Sequence, residues 1–516
     1  MNLTKTALGI EFGSTRIKAV LLDENHLPVA SGSYTWENEL EDGIWTYRMI
    51  DAVKGLQSCY RALKVDYEKK YKEKLTRVGV IGISGMMHGY LPLDKDNNLL
   101  VSFRTWRNTI TEEAAAKLTE RFGFNIPQRW SIAHLYQAIL NGEEHTPRIA
   151  KLTTLAGYFH FLLSGRHVLG IGEASGMFPI DSTTLNYDSE MADKFKALTG
   201  IDIYQVFPEV LTAGKEAGFL TEDGARLLDS EGDLVSGIPL CPPEGDAGTG
   251  MTATNSVRVR SGNVSAGTSD FAMVVVERPI PVHREIDMVT TPDGSPVAMV
   301  HCNNCTSDIN AWVSLFREFA DTLCLKISDD ELYTLLFKKA LEGDKDCGGL
   351  LSYNYYSGEG VTDINAGRPV FLRKPDADFS LANFMRTHLL SALATLKIGL
   401  DILTGDENVE IEKLYGHGGF FKTEGVGQRL LSAAAGVPVA VMETAGEGGP
   451  YGMALLASFL LDGNGRNLAQ YLDEDVFRDA KSVTITASKE ECVGFNSFLE
   501  SYKKAFEVEK KAVEVF

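Results

Sequence analysis

At 516 residues the chain is too long for one small module and has room for two to four domains. Its 50 basic and 70 acidic residues give a net charge of −20, which repels nucleic acid and anionic membranes and excludes both as bulk partners. A composition that is 44% hydrophobic and 23% charged is ordinary for a globular protein, and 49 glycines against 17 prolines favour tight turns over disorder.

From the N-terminus, Ala7–Ile10 and Ile17–Leu22 are apolar and flank Glu11-Phe-Gly13-Ser14-Thr15-Arg16, a hairpin with a small, hydroxyl-rich connection. A third strand is expected over Leu27–Tyr34, and a lysine- and glutamate-rich surface helix over residues 49–74. Val78–Ile83 is a short buried strand ending in Ser84-Gly-Met-Met87-His88-Gly89, at the end of a strand where α/β sheets gather ligands. Residues 111–121, 150–163 and 189–198 have helical spacing, and Leu234–Leu240 is expected as a strand leading to Gly245-Asp246.

Residues 261–276 then repeat strand, Gly267-Thr268-Ser269 turn and strand, about 250 residues after the first such unit, so two similar halves are expected. A long helix over 380–403 follows, then Gly416-His-Gly418-Gly419-Phe-Phe-Lys422, a helix near 424–435, a strand over Val437–Met442, and Gly446-Glu-Gly448-Gly449 opening a final core helix. No run approaches about 18 apolar residues, the segment Met453–Leu461 being too short to span a bilayer. No leader is evident, and the seven cysteines form no disulfide framework, so a reducing cytoplasm is expected. The lone CxxC, Cys302 and Cys305, lacks a second pair for zinc and is taken as structural. Gly248-Thr-Gly250-Met-Thr-Ala253 fits GxGxxA, but Pro242-Pro243 and a nearby hairpin leave no room for a dinucleotide-binding unit.

Two glycine–hydroxyl turns, one per half, suit a triphosphate held between them, with backbone N–H groups and hydroxyls as donors. Glu11 beside the first turn is a candidate Mg²⁺ ligand, acting through water. Asp246 is either a general base toward a substrate hydroxyl or a helix cap. His88 is either a hydrogen-bonded structural histidine or a substrate contact, and Arg104, Trp106 and Asn108 have the composition of a polyol-binding wall.

In this order these motifs resemble the FGGY family of carbohydrate kinases, within the actin/hexokinase/Hsp70-like ATPases. Ile10–Lys18 is similar to the family's first phosphate motif, with Glu11 in the place of its magnesium-linked aspartate and Lys18 in that of its basic residue. Met87-His88-Gly89 resembles the sugar motif of xylulokinases, and Trp106-Arg-Asn108 the family's Trp-x-Asp segment. Asp246 falls on the catalytic aspartate, and Gly267, Thr268 and Ser269 fall on the second phosphate motif. Gly418, Gly419, Lys422, Gly446, Gly448 and Gly449 fall on or beside the nucleotide-binding glycines.

The resemblance implies two actin-like (ribonuclease H-like) α/β domains with central mixed sheets flanking a catalytic cleft. Residues 1–254 would bind the sugar and 255–516 the ATP. The reaction implied is ATP-dependent phosphorylation of a terminal hydroxyl of a small sugar, a ketopentose such as D-xylulose or another ketose or polyol. Mg²⁺ would be held by Glu11 and Asp246, and Met87, His88, Arg104, Trp106, Asn108 and Asp246 would contact the sugar. A non-kinase ATPase or a sugar sensor is the rival reading, and a homodimer is admitted.

Overall fold

Apolar runs separated by a turn of small residues build the first sheet. β1 (Ala7–Phe12) and β2 (Arg16–Leu22) pair antiparallel across residues 13–15, and β3 (Pro28–Thr35) continues the meander. Every residue of β1 is buried, as suits a central strand covered on both faces. Helix α1 (Met49–Tyr71) lies on β3 so closely that a Cβ on Gly32 would stand 2.2 Å from Cys59 O. β4 (Val80–Gly85) runs parallel to β1, and α2 (Leu155–Ser164) packs against it. β5 (Glu244–Gly245) then adds parallel to β4, and α3 (Asp246–Ala253) begins where β5 ends. The computed structural model describes residues 1–446 and 448–516.

The second sheet comprises β6 (Ser261–Ala266), β7 (Asp270–Val275), β8 (Ile286–Thr290) and β9 (Pro296–Cys302), followed after helix α4 (Leu381–Asp401) by β10 (Lys413–His417). Helix α5 (Val426–Ala435), β11 (Val439–Met442), helix α6 (Gly449–Asp462) and β12 (Ser482–Ile485) complete it. The sheet orders are β5-β4-β1-β2-β3 and β8-β9-β7-β6-β10-β11-β12. Strands β3-β2-β1-β4-β5 and β9-β7-β6-β10-β11 share one order and one pattern of antiparallel and parallel neighbours, with β8 and β12 added at the edges. The internal repeat is therefore a repeat of topology, and the fold is two α/β halves with mixed sheets.

Helix α6 follows β11 of the second half in sequence yet covers the first sheet. A Cβ on Gly9 of β1 would lie 2.1 Å from Pro450 O, and one on Gly452 would lie 1.9 Å from Thr249 O. Backbone thus rests on backbone at both crossings, and the glycines of the GxGxxA segment lie inside α3, Gly248 toward Pro292 and Glu244 and Gly250 toward Asn263.

Several expectations are corrected. Leu234–Leu240 forms only isolated bridges, because Gly237 at φ 79° and Pro239 interrupt any ladder. Residues 151–153 are a strand, and the helix starts after Thr154, whose side chain caps Gly157 N. The helix Ser131–Leu140 escaped notice because it is buried almost all round and shows no polar face. Helices Leu468–Tyr471, Lys489–Lys504 and Phe506–Val515 follow α6, which is not the last. The stretch Leu381–Asp406 is long and apolar enough to cross a membrane, but 67% of its most apolar window is buried inside the second half.

Substituting Gly452 with alanine drives a methyl into the Thr249 carbonyl of α3. The G452A variant should lose about 1–3 kcal/mol in urea unfolding, with its midpoint shifted down and its slope kept.

Candidate active site

The C-terminal ends of the parallel strands β1, β4 and β5 lie side by side, with Glu11 level with Ser84 and Ser84 level with Glu244. This edge delivers the first glycine turn, the Met87–His88 loop and Asp246 to one place, as expected of parallel α/β strands. Met87 N donates to Asp246 Oδ1 at 3.1 Å, so the loop and the aspartate are directly tied. Asp246 is open to solvent at the cleft, yet lies so deep among protein atoms that its carboxyl is pushed above its ordinary value, while the Met87 and Ala247 N–H groups pull the other way.

Glu11 is buried, and its carboxyl is raised to about 7 by burial and by Asp246, against the opposing pull of Lys18, its cross-strand partner. It makes no side-chain hydrogen bond among the described residues. A Cβ on Gly449 would stand 1.9 Å from Glu11 Oε1, and one on Gly448, at φ 74°, would stand 4.0 Å from Lys18 Nζ. The glycines that open α6 therefore meet the first turn, while Gly446 is exposed beside open space.

Both turns spend their carbonyls inside the protein. Trp36 Nε1 donates to Gly13 O at 2.7 Å, Tyr47 OH to Ser14 O at 2.6 Å and Trp36 N to Thr15 O at 3.1 Å. In the second turn, Thr306 Oγ1 donates to Gly267 O at 2.7 Å and Cys305 N to Thr268 O at 2.9 Å. The hydroxyls of Ser14, Thr15, Thr268 and Ser269 have no internal partner among the described residues, which leaves them as donors. Gly418, at φ 97°, lies against β6, where a Cβ would stand 2.5 Å from Ala266 O, so the Gly418-Gly419 turn adjoins the second turn. Lys422 is exposed just beyond it.

The rest of the expected sugar wall has other work. Asn108 accepts from Trp45 N at 2.8 Å and donates to Trp45 O at 2.9 Å and Thr105 O at 3.0 Å, so its amide braces a hairpin. Arg104 pairs with Glu143 through both terminal nitrogens and lies over Tyr90. Trp106 is half-buried against the first core. His88 is buried at φ 71°, and burial followed by Arg129 holds its pKa well below the ordinary value.

Arg129 and Asp287 were missed. They bond His88 and each other across 41 and 158 residues, and no local pattern marks either one. Glu173 and Glu244 were missed too. Glu244, raised to about 8 by burial, accepts from Gly172 N at 3.2 Å and Glu173 N at 2.9 Å. Glu173 is an isolated acid in an apolar segment that only the fold brings near Asp246, whereas Glu244 stands two residues before Asp246 with no motif to mark it.

Two matched α/β halves, with hydroxyl turns at equivalent strand ends and a carboxylate in the cleft, define a phosphotransferase of the actin-like class. Residues 6–246 match the FGGY family of carbohydrate kinases, N-terminal domain, and residues 262–461 match its C-terminal domain. The chain belongs to the FGGY family of carbohydrate kinases, and it is a sugar kinase. It is 22% identical over 410 residues to a xylulose kinase of Haemophilus influenzae, covering 77% of this chain and 79% of that protein. Two solved structures from Lactobacillus acidophilus each share 98% coverage of both chains: a ligand-bound xylulose kinase (18% identity, TM-score 0.80) and a gluconate kinase (17%, 0.79).

The family implies ATP use, and Mg²⁺ usually accompanies it. Glu11 and Asp246 fit such an ion. Both are hard oxygen donors, Asp246 raises the cost of ionising Glu11, and Glu11 has no side-chain hydrogen bond among the described residues. Among the described residues no set of three or more His, Cys, Asp or Glu is arranged to hold a metal, so an ion at this pair would need water or phosphate in its other positions.

Between the ordinary carboxyl value of 4.5 and about 7, folded Glu11 holds a proton that the unfolded chain has released, so its contribution to stability falls as pH rises through this window. Metal-free E11Q should melt roughly 2 °C above metal-free wild type at pH 8 and together with it near pH 5. Magnesium chloride should raise the wild-type melting point and leave that of E11Q unmoved, as calorimetry would read.

Proposed function

We propose that the chain transfers the γ-phosphoryl group of ATP to a terminal hydroxyl of a ketopentose, with D-xylulose the first candidate. The observation that carries this reading is the bond from Met87 N to Asp246 Oδ1, which puts a basic carboxylate beside the loop expected to bind the sugar. The xylulose kinases among the relatives favour a ketopentose.

Asp246 accepts the hydroxyl proton as the oxygen attacks phosphorus. Its carboxyl, raised by burial, is suited to take up that proton. The N–H groups and hydroxyls of Ser14, Thr15, Thr268 and Ser269 orient phosphate oxygens, and Lys18 adds positive charge beside the first turn. Glu11 and Asp246 would hold Mg²⁺, and the chemistry such an ion supplies is neutralisation of charge on the phosphates. Gly418, Gly419, Gly446, Gly448 and Gly449 offer close backbone approach to the nucleotide. Met87 and His88 line the sugar side, whereas Arg104 and Asn108 support it from behind.

Replacing Asp246 with asparagine keeps the shape and removes the base. The D246N variant should lose about 10²–10⁴-fold in kcat with D-xylulose while retaining ATP binding by calorimetry. A variant with near-normal turnover in a coupled ADP-release assay would overturn the reading.

A further inference from the structure

β8 is the edge strand of the second sheet, and residues of the first half cover that edge. Asn125 Nδ2 donates to Ile286 O at 3.0 Å and to Asp287 Oδ1 at 2.9 Å. Thr290 N donates to Ser175 Oγ and Thr290 Oγ1 to Ile171 O, each at 3.1 Å. Within this seam Asp287 is only 7% exposed, and its other oxygen pairs with Arg129 Nη2.

The same guanidinium donates from Nε to His88 Nε2 at 3.1 Å. On the far side of the ring, His88 Nδ1 lies 3.1 Å from Gly176 O. A carbonyl can only accept and a guanidinium can only donate, so the imidazole is neutral, with its proton on Nδ1 and its lone pair on Nε2. His88 also sits in the left-handed region, at φ 71°.

We propose that Asp287 is a positioning residue for the sugar site, supplied from the opposite half of the molecule, which aims Arg129 at His88 and so fixes the orientation and tautomer of that imidazole. The proposal rests on the sugar-binding reading of Met87–His88. A long arginine side chain samples many rotamers, and a carboxylate held on its other side by Asn125 selects one of them. Without the charge at 287, Nη2 loses its partner, Nε–H is no longer aimed, and His88 is free to exchange its proton between Nδ1 and Nε2. Because the link crosses between the halves, recognition at His88 also depends on the seat of β8 against residues 125–129.

The test uses the full chain labelled with ¹⁵N-histidine, with the His88 signals assigned by their loss in H88Q. Wild type should show the Nδ1–H pattern at His88, D287N should show averaged tautomers, and D287E should restore the wild-type pattern. In steady-state assays D287N should raise KM for D-xylulose roughly tenfold while KM for ATP holds. An unchanged His88 spectrum in D287N would overturn the proposal. So would equal rises in both KM values, which would mark Asp287 as a prop of the sheet edge. Should wild type phosphorylate no ketose, the functional reading fails, and the His88 spectrum still decides the role of Asp287.

Discussion

The contact on which the rest depends is the seat of α6 on β1 and α3. Without side chains at Gly9 and Gly452, the helix comes close enough for its backbone to touch Thr249, and Pro450 O fits over the strand. This closeness sets where α6 begins. Gly448 and Gly449 reach Lys18 and Glu11, though more than 400 residues of chain separate them. It also buries Glu11, so the charge chemistry of the site is a product of helix packing. A helix displaced by one methyl group would open this corner to water and lower the cost of ionising Glu11.

Each glycine–hydroxyl turn gains its donors in the same way, with different partners. A short loop of glycine and hydroxyl residues can point either carbonyls or N–H groups outward. Trp36 and Tyr47 draw in the carbonyls of the first turn, and Cys305 and Thr306 draw in those of the second. With the carbonyls engaged, the remaining polar groups are donors, and an acidic chain of net charge −20 acquires two places that welcome an anion. Cys305, read as structural from its lone CxxC, has its task here through its backbone.

The pairing of strands was legible wherever a local rule applied. The two hairpins, the long helices and the strand-end position of Met87–His88 follow from apolar periodicity and turn chemistry. The fold's second layer was not. The passage of α6 to the first sheet depends on glycines whose neighbours are far away in sequence, and the failed strand at Leu234–Leu240 shows apolar composition overruled by Gly237 and Pro239. In the site, the glycine–hydroxyl turns could be read from local sequence, whereas Arg129, Asp287, Glu173 and Glu244 could not, since each is a single charge without a motif. Asn108 and Arg104 show what local composition leaves out. Their composition suggests a sugar wall, but buried polar groups must first satisfy themselves, and hairpin and carboxylate partners were nearer.

Glu11 carries one methylene more than the aspartate that the family resemblance leads one to expect there. In a tightly filled corner that extra length would have to displace something. Here it is directed at Gly449, where any side chain would collide with the carboxylate, so the missing Cβ supplies the room. The longer side chain therefore reaches the opening of α6 without moving β1, whose ladder to β2 and β4 remains in register through Glu11. The carboxylate stays beside Asp246 and Lys18, the two charges that govern its protonation. The replacement is thus absorbed between side chain and glycine, and the scaffold that carries the turn at 13–15 is undisturbed.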